Sequence, residues 1–283
     1  MKKYFLSANT AEGYVSFFDE AKKQLSLVYT LSGHGCRSSD IIKKAAYEYN
    51  ADELILNPAD VNSACGCIWT DKNTGLFCDG SGAPPDLTEE YKGLYKAYAE
   101  AKKIHDDWEK IYISNMNVSL LNQYSGNVIT KILGNSRRDK EPINKNRFFG
   151  ASTPDGSVNF IDELTEDIET RYFIKGRPGT GKSTFLRRLG SEARQKGFDT
   201  ETYYCSFDPK SLDMIVIREL SLCVFDSTAP HEKFPESDRD VILDFYSEAG
   251  LTGVDEKYEK ELTEISTAYN DKVKEGREYL SRV

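Results

Sequence analysis

Hydrophobic positions in the second half of the chain alternate between two spacings. Arg171-Tyr172-Phe173-Ile174-Lys175 is a short run rich in aromatic and β-branched residues, which predicts a strand. After it, the stretch from Thr184 to Arg194 carries Phe185, Leu189 and Ala193 four apart, which predicts a helix with one buried face. Val158, Ile161, Leu164 and Ile168 predict a helix ahead of the strand. Glu201-Thr202-Tyr203-Tyr204-Cys205-Ser206-Phe207 predicts a second strand ending at Asp208, and Leu220-Ser221-Leu222-Cys223-Val224-Phe225 a third ending at Asp226. Tyr258, Leu262, Ile265 and Tyr269 mark a closing helix.

The first half carries the same plan. Phe5, Ala8, Thr10, Gly13, Val15, Phe17, Asp19 and Glu20 match Phe148, Ala151, Thr153, Gly156, Val158, Phe160, Asp162 and Glu163 at a constant separation of 143 (156 − 13). The same separation pairs Tyr29 with Tyr172, Leu31 with Ile174 and Gly33 with Gly176. A gap-free register of this length is the mark of an internal repeat. A helix near 40–49 and a strand at Glu53-Leu54-Ile55-Leu56 follow, with Asn57-Pro58 as a turn. Leu76 to Pro84 then echoes Cys223 to Pro230 at a separation of 147 (226 − 79), as an insertion of four would give, and this aligns Asp79 with Asp226.

Residues 87–113 predict a long helix, because Tyr91, Tyr95, Tyr98, Ala101, His105, Trp108 and Tyr112 recur at steps of three and four. His105 on this stripe reads as a packed histidine. Asn115 to Leu133 continues as a second helix or pair of helices, and the polar stretch from Gly134 to Pro142 reads as a linker. The closing helix at Tyr258 matches Tyr91, Tyr95, Tyr98 and Lys102, and either the second helical appendage is the shorter or the sequence is cut within it. The expected architecture is α/β: two repeated three-layer α/β/α domains with mainly parallel sheets and helical appendages, of the type that the glycine loop described next implies. The boundaries are 1–133, a linker at 134–146, and 147–283.

Between the first strand and its helix lies Gly176-Arg177-Pro178-Gly179-Thr180-Gly181-Lys182-Ser183, which fits G-x-x-x-x-G-K-[ST]. The glycines let backbone N–H groups turn toward an anion. The helix start adds the positive end of its dipole. In this pattern Lys182 is expected to reach the β- and γ-phosphates, and Ser183 to offer its hydroxyl to Mg²⁺. Pro178 stiffens the loop, and Arg177 and Thr184 lie within reach of a phosphate. The loop, together with Phe148 to Gly156 and Phe225 to His231, resembles the P-loop NTPase superfamily over residues 147–250. More narrowly, it resembles a bacterial family of tandem P-loop ATPase-like proteins. The resemblance implies bound ATP and Mg²⁺ without specifying a reaction.

A second carboxylate is expected to fix the metal. Asp226 follows an apolar strand and is the first choice, against a turn-forming aspartate before Ser227-Thr228. Asp208 is the runner-up, as metal partner or base, and Asp213 is weaker. His231 and Glu232 follow Asp226 closely enough to orient water or meet a phosphate, or are surface loop residues.

At the separation of 143, the first copy places Gly33-His34-Gly35-Cys36-Arg37-Ser38-Ser39-Asp40 on the loop. Ser39 then replaces Lys182, and Asp40 replaces Ser183. A carboxylate about 4 Å from a phosphate repels it by several kcal/mol at a dielectric near 20, so one nucleotide per chain is expected. The rival reading is a different ligand held by Gly33, His34, Gly35 and Arg37.

Net charge is −9, which gives no electrostatic footprint for nucleic acid. No apolar run approaches a membrane span and no signal peptide is evident, so a cytoplasmic setting is expected. Cys205 and Cys223 read as reduced core residues. Cys65-Gly66-Cys67 with Cys78 departs from the usual zinc spacing. Asn144-Lys145-Asn146-Arg147 lacks the last acid of N-K-x-D, no L-S-G-G-Q is present, and no Asp-Glu pair ends the third strand. Three classes stay open: an ATP-hydrolysing enzyme or switch, a nucleotide or small-molecule kinase, and a nucleotide-sensing scaffold.

Overall fold

The computed structural model describes residues 1–32 and 36–283. The chain is mixed α/β, with two sheets of matching plan. The first contains β1 (Lys2–Tyr4), β4 (Leu27–Leu31), β5 (Glu53–Leu56), β6 (Ala64–Trp69) and β7 (Thr74–Cys78), in the order β1-β5-β6-β7-β4. The second contains β8 (Asn144–Arg147), β11 (Thr170–Lys175), β12 (Thr200–Tyr204), β13 (Leu212–Ile217), β14 (Leu222–Asp226) and β15 (Asp240–Asp244), in the order β15-β11-β14-β13-β12-β8. Two small antiparallel hairpins complete the strands: β2 (Ser7–Thr10) with β3 (Gly13–Ser16), and β9 (Gly150–Thr153) with β10 (Gly156–Asn159). The sheets agree strand for strand in order and direction, β15 being the extra one.

The sheets are mainly parallel, as expected, with one reversed strand in each. β6 and β13 run antiparallel to both of their neighbours, while the remaining pairs are parallel. β11 lies inside its sheet, parallel to β14 and β15. Strand β8 takes up the last three residues of the expected linker together with Arg147, because a four-residue polar edge strand carries no apolar signature. Val158 lies in β10, and the helix before β11 is the short α5 (Ile161–Thr165), the counterpart of α1 (Phe18–Lys23).

Successive residues of the central strands face opposite layers. Leu222 and Val224 join one apolar cluster with Phe185, Leu186 and Leu189, while Cys223 and Phe225 join another with Ile161 and Leu164. Helices α2 (Cys36–Glu48) and α6 (Lys182–Gln195) each cover one face of their sheet. The long α3 (Glu89–Asn115) packs along α9 (Glu259–Leu280), with the Tyr98 ring over Gly276 and the Tyr279 ring over Gly93. The shorter α4 (Val118–Leu133) returns from α3 against α6, and α7 (Phe245–Glu248) and α8 (Val254–Lys257) lead into α9.

The halves meet about a local twofold relation. Phe5 and Phe148, equivalent in the repeat, exchange backbone hydrogen bonds of 2.9 Å in both directions. The ring pairs Phe5–Phe160 and Phe17–Phe148 mirror one another across this seam. Beneath it, Arg147 is 3% exposed and donates to Glu53 at 2.7 Å, lies 3.6 Å from Glu201, and covers the Tyr4 ring. Burial works to raise the Glu201 carboxyl, but Arg147 and Arg218 pull it down to about 2. No helix among the described residues is long and apolar enough to cross a membrane.

Candidate functional site

The glycine loop 176–183 joins the carboxyl end of β11 to α6. A turn this tight needs residues with positive φ, and Gly179 (φ +76°) and Gly181 (φ +80°) supply them. Thr180 is buried and ties the loop to itself, its Oγ1 donating to the Arg177 carbonyl at 2.8 Å. Lys182 opens α6, so the unpaired N–H groups of the first helical turn face the same space as its ammonium. Its Nζ donates to the Arg177 carbonyl at 2.9 Å and lies 3.5 Å from Asp226 Oδ2. Ser183 Oγ accepts from the Leu212 N–H at 2.9 Å, which fixes the hydroxyl at the head of β13.

Three carboxylates gather at this end of the sheet. Asp226 ends β14, and its Oδ1 accepts from the Thr228 N–H and hydroxyl, leaving Oδ2 toward Lys182. β13 and β14 pair Met214 with Phe225, and the same register continued by one residue brings Asp213 opposite Asp226. Burial, then the Asp226 charge, push Asp213 up to about 8. Asp208 lies in the turn after β12, accepting from the Ser211 hydroxyl at 3.2 Å. The structure therefore brings together Lys182, Ser183, Asp208, Asp213 and Asp226. Hard oxygen donors of this kind suit Mg²⁺, so Ser183 and Asp226 fit the expected metal role.

Other expected residues stand further off. Arg177 is held by Asp255, with Nε and Nη2 at 2.9 and 2.8 Å, and Asp255 also accepts from Tyr112. Thr184 lies on the exposed side of α6, beside Arg187 and Arg188. His231 is packed edge-on against Phe149 at 4.9 Å, and burial pulls it down to about 4 although Asp226 opposes this. Glu232 is exposed and pairs with Lys175 at 3.3 Å.

Sequence reasoning missed the contribution of the first half. Helix α3 crosses the loop, so that a Cβ on Gly179 would lie 2.8 Å from the Glu109 carbonyl, and one on Gly181 would meet Leu121 of α4 at 2.8 Å. Lys102 of α3 lies 3.4 Å from Asp208 and pairs with Asp106. His105, read as a packed residue, does pack on Trp108 and Tyr269, and its Nδ1 sits 3.7 Å from Glu109. His105, Asp106 and Glu109 each bring a ligand atom within 4.8 Å of the others, though the Lys102 ammonium already occupies Asp106. Lys102, His105 and Glu109 do share one helical face at steps of three and four, but nothing in the sequence says that this face meets the loop.

The equivalent place in the first half is chemically different, and the alignment there needs two corrections. Ser39 Oγ accepts from the Ala64 N–H at 2.8 Å, the counterpart of the Ser183–Leu212 bond, since Ala64 and Leu212 open matching strands. Ser39 therefore corresponds to Ser183, and Ser38, not Ser39, stands where Lys182 does. Likewise β7 pairs Cys78 with Leu31 as β14 pairs Asp226 with Ile174, so Cys78, not Asp79, matches Asp226. The separation here is 148 (226 − 78), an insertion of five, and it matches Cys65 with Asp213. Gly33, His34 and Gly35, together with the alternative ligand site proposed on them, lie outside the described residues. Compared with known proteins, the chain matches no family model, no curated sequence and no solved structure.

Proposed function

We propose that residues 176–184 bind ATP with Mg²⁺ and that the protein is a Mg²⁺-dependent ATPase of the P-loop kind. One observation carries this reading. A glycine loop with two left-handed residues leads from an interior parallel strand into a helix whose first residue is Lys182, 3.5 Å from the strand-end carboxylate Asp226. Helix N–H groups and the lysine suit the phosphates. Ser183 and Asp226 would hold Mg²⁺, which would screen the phosphate charge and draw the terminal phosphoryl group into line.

Hydrolysis is preferred over transfer to a small acceptor because α3 and α4 pack closely on the loop at Gly179 and Gly181, which leaves less room beside it for a second substrate. Titration with ATP and Mg²⁺ should give one site per chain, and phosphate should be released with ATP alone. Two equivalent sites, or phosphate transfer only in the presence of an added acceptor, would refute the reading.

A further inference from the structure

We infer that the site in the second half is completed by the first: Glu109 of α3 is the carboxylate that activates the attacking water. The inference rests on the ATPase reading above. Its starting point is contact. The Glu109 carbonyl, Cα and Cβ would lie 2.8, 3.1 and 3.1 Å from a Cβ on Gly179, so only a glycine there admits the helix. Leu121 of α4 lies over Gly181 in the same way, so both helices pack on the glycine loop.

The Glu109 carboxylate is free for the task. It is partly buried, at 31% side-chain exposure, and its nearest cationic candidate is His105 Nδ1 at 3.7 Å, which has no hydrogen-bond partner. Burial lowers the His105 pKa, so the ring beside Glu109 is neutral at pH 7. The charged groups acting on Glu109 are Lys102 and Asp106 of its own helix, Asp208 after β12, and Lys182 of α6. Burial outweighs them and raises its pKa, which makes the carboxylate a stronger base. The carboxylates of the second half are otherwise engaged. Asp226 faces Lys182, Asp208 faces Lys102, and Asp213 is buried opposite Asp226.

In the step assigned here, the water oxygen bonds to the terminal phosphorus and gives one proton to Glu109. The bond from phosphorus to the bridging oxygen breaks, its electron pair leaves on the nucleoside diphosphate, and Glu109 later returns the proton to solvent. ATP and water become ADP and inorganic phosphate, with no further reactant.

The test compares the full-length parent with Glu109→Gln, which keeps the shape and removes the base. Three quantities are read: affinity for a fluorescent ATP analogue, affinity for ADP with aluminium fluoride, and the pH profile of phosphate release. Glu109→Gln should bind the ATP analogue within about threefold of the parent while its turnover falls on the order of a hundredfold or more. It should also bind the aluminium fluoride complex less tightly and lose the acid limb of the profile. If turnover is unchanged, or if ATP affinity falls in step with it, Glu109 is not the base and the ATPase reading survives. A parent that binds ATP without hydrolysing it overturns the ATPase reading and the inference together, leaving only nucleotide binding. Failure of the parent to bind ATP removes the ATPase reading itself, and the inference with it.

Discussion

The two halves of this chain carry one architecture and two chemistries. Strand order and direction agree from β1-β5-β6-β7-β4 to β8-β12-β13-β14-β11. Even the serine that ties the helix to the antiparallel strand is kept, as Ser39 and Ser183. What differs is charge at the strand ends. Lys182, Asp213 and Asp226 in the second half correspond to Ser38, Cys65 and Cys78 in the first. Burial pushes the Cys65 thiol up to about 12, so no anion forms there at neutral pH. A fold is held by its apolar alternation, which both halves retain, so a charged site at the strand ends can be lost without loss of the sheet. The first half also keeps a long helical arm, and that arm lies on the other half's loop.

The largest effect is expected where the halves join. Arg147 occupies the repeat position of Tyr4, between Glu53 and Glu201. Arg147→Met keeps volume but leaves Glu53 buried with only the Tyr4 hydroxyl, and breaking such a pair costs about 3–5 kcal/mol. Urea unfolding should show a single transition at a markedly lower midpoint. An unchanged midpoint would mean that the seam contributes no net stability. Two separate transitions would mean that the halves stand independently.

Next comes the loop. Lys182→Ala deletes a charge-assisted phosphate contact of about 1.5–3 kcal/mol, so ATP affinity should fall roughly tenfold to a hundredfold. Asp226→Asn should leave metal-free nucleotide binding nearly intact and abolish the gain from Mg²⁺. If Asp208→Asn abolishes that gain instead, the metal carboxylate is Asp208. The sharper challenge is reconstruction in the first half. Ser38→Lys should create no second ATP site, because Cys65 and Cys78 supply no carboxylates; a second site by calorimetry would show that the lysine alone decides.

Much of this comparison was legible in the sequence. The glycine loop, its strand and helix, the repeat and the long α3 all follow from local spacing. β6 and β13 were not recognised, although Met214-Ile215-Val216-Ile217 is an apolar run, because they sit where the repeat register slips. The same slips misplaced Ser39 and Asp79 by one residue, and only matched hydrogen bonds and strand registers restored them. Asp213 was ranked low because its standing comes from a cross-strand neighbour. Glu109 was invisible for a related reason: no periodicity encodes which tertiary partner a helix face meets.

The smallest effect separates the halves by pH. Asp213 on the second sheet has a folded-state pKa raised to about 8 by burial and then by Asp226, against about 3.9 for an unfolded aspartate. A raised value means that the folded protein holds the proton longer. Its contribution to stability is fully present below the unfolded pKa and is lost as pH rises through the folded one. Between pH 7 and 9 the folded site gives up about one proton that the unfolded chain has already lost, a loss of about 1.4 kcal/mol. Asp213→Asn cannot titrate, so its denaturation midpoint should fall less than the parent's over that interval. Mg²⁺ favours the ionised pair, so added Mg²⁺ should lessen the parent's loss and leave the variant's unchanged. Equal slopes for parent and variant, with and without Mg²⁺, would place the proton elsewhere and remove Asp213 from the difference between the halves.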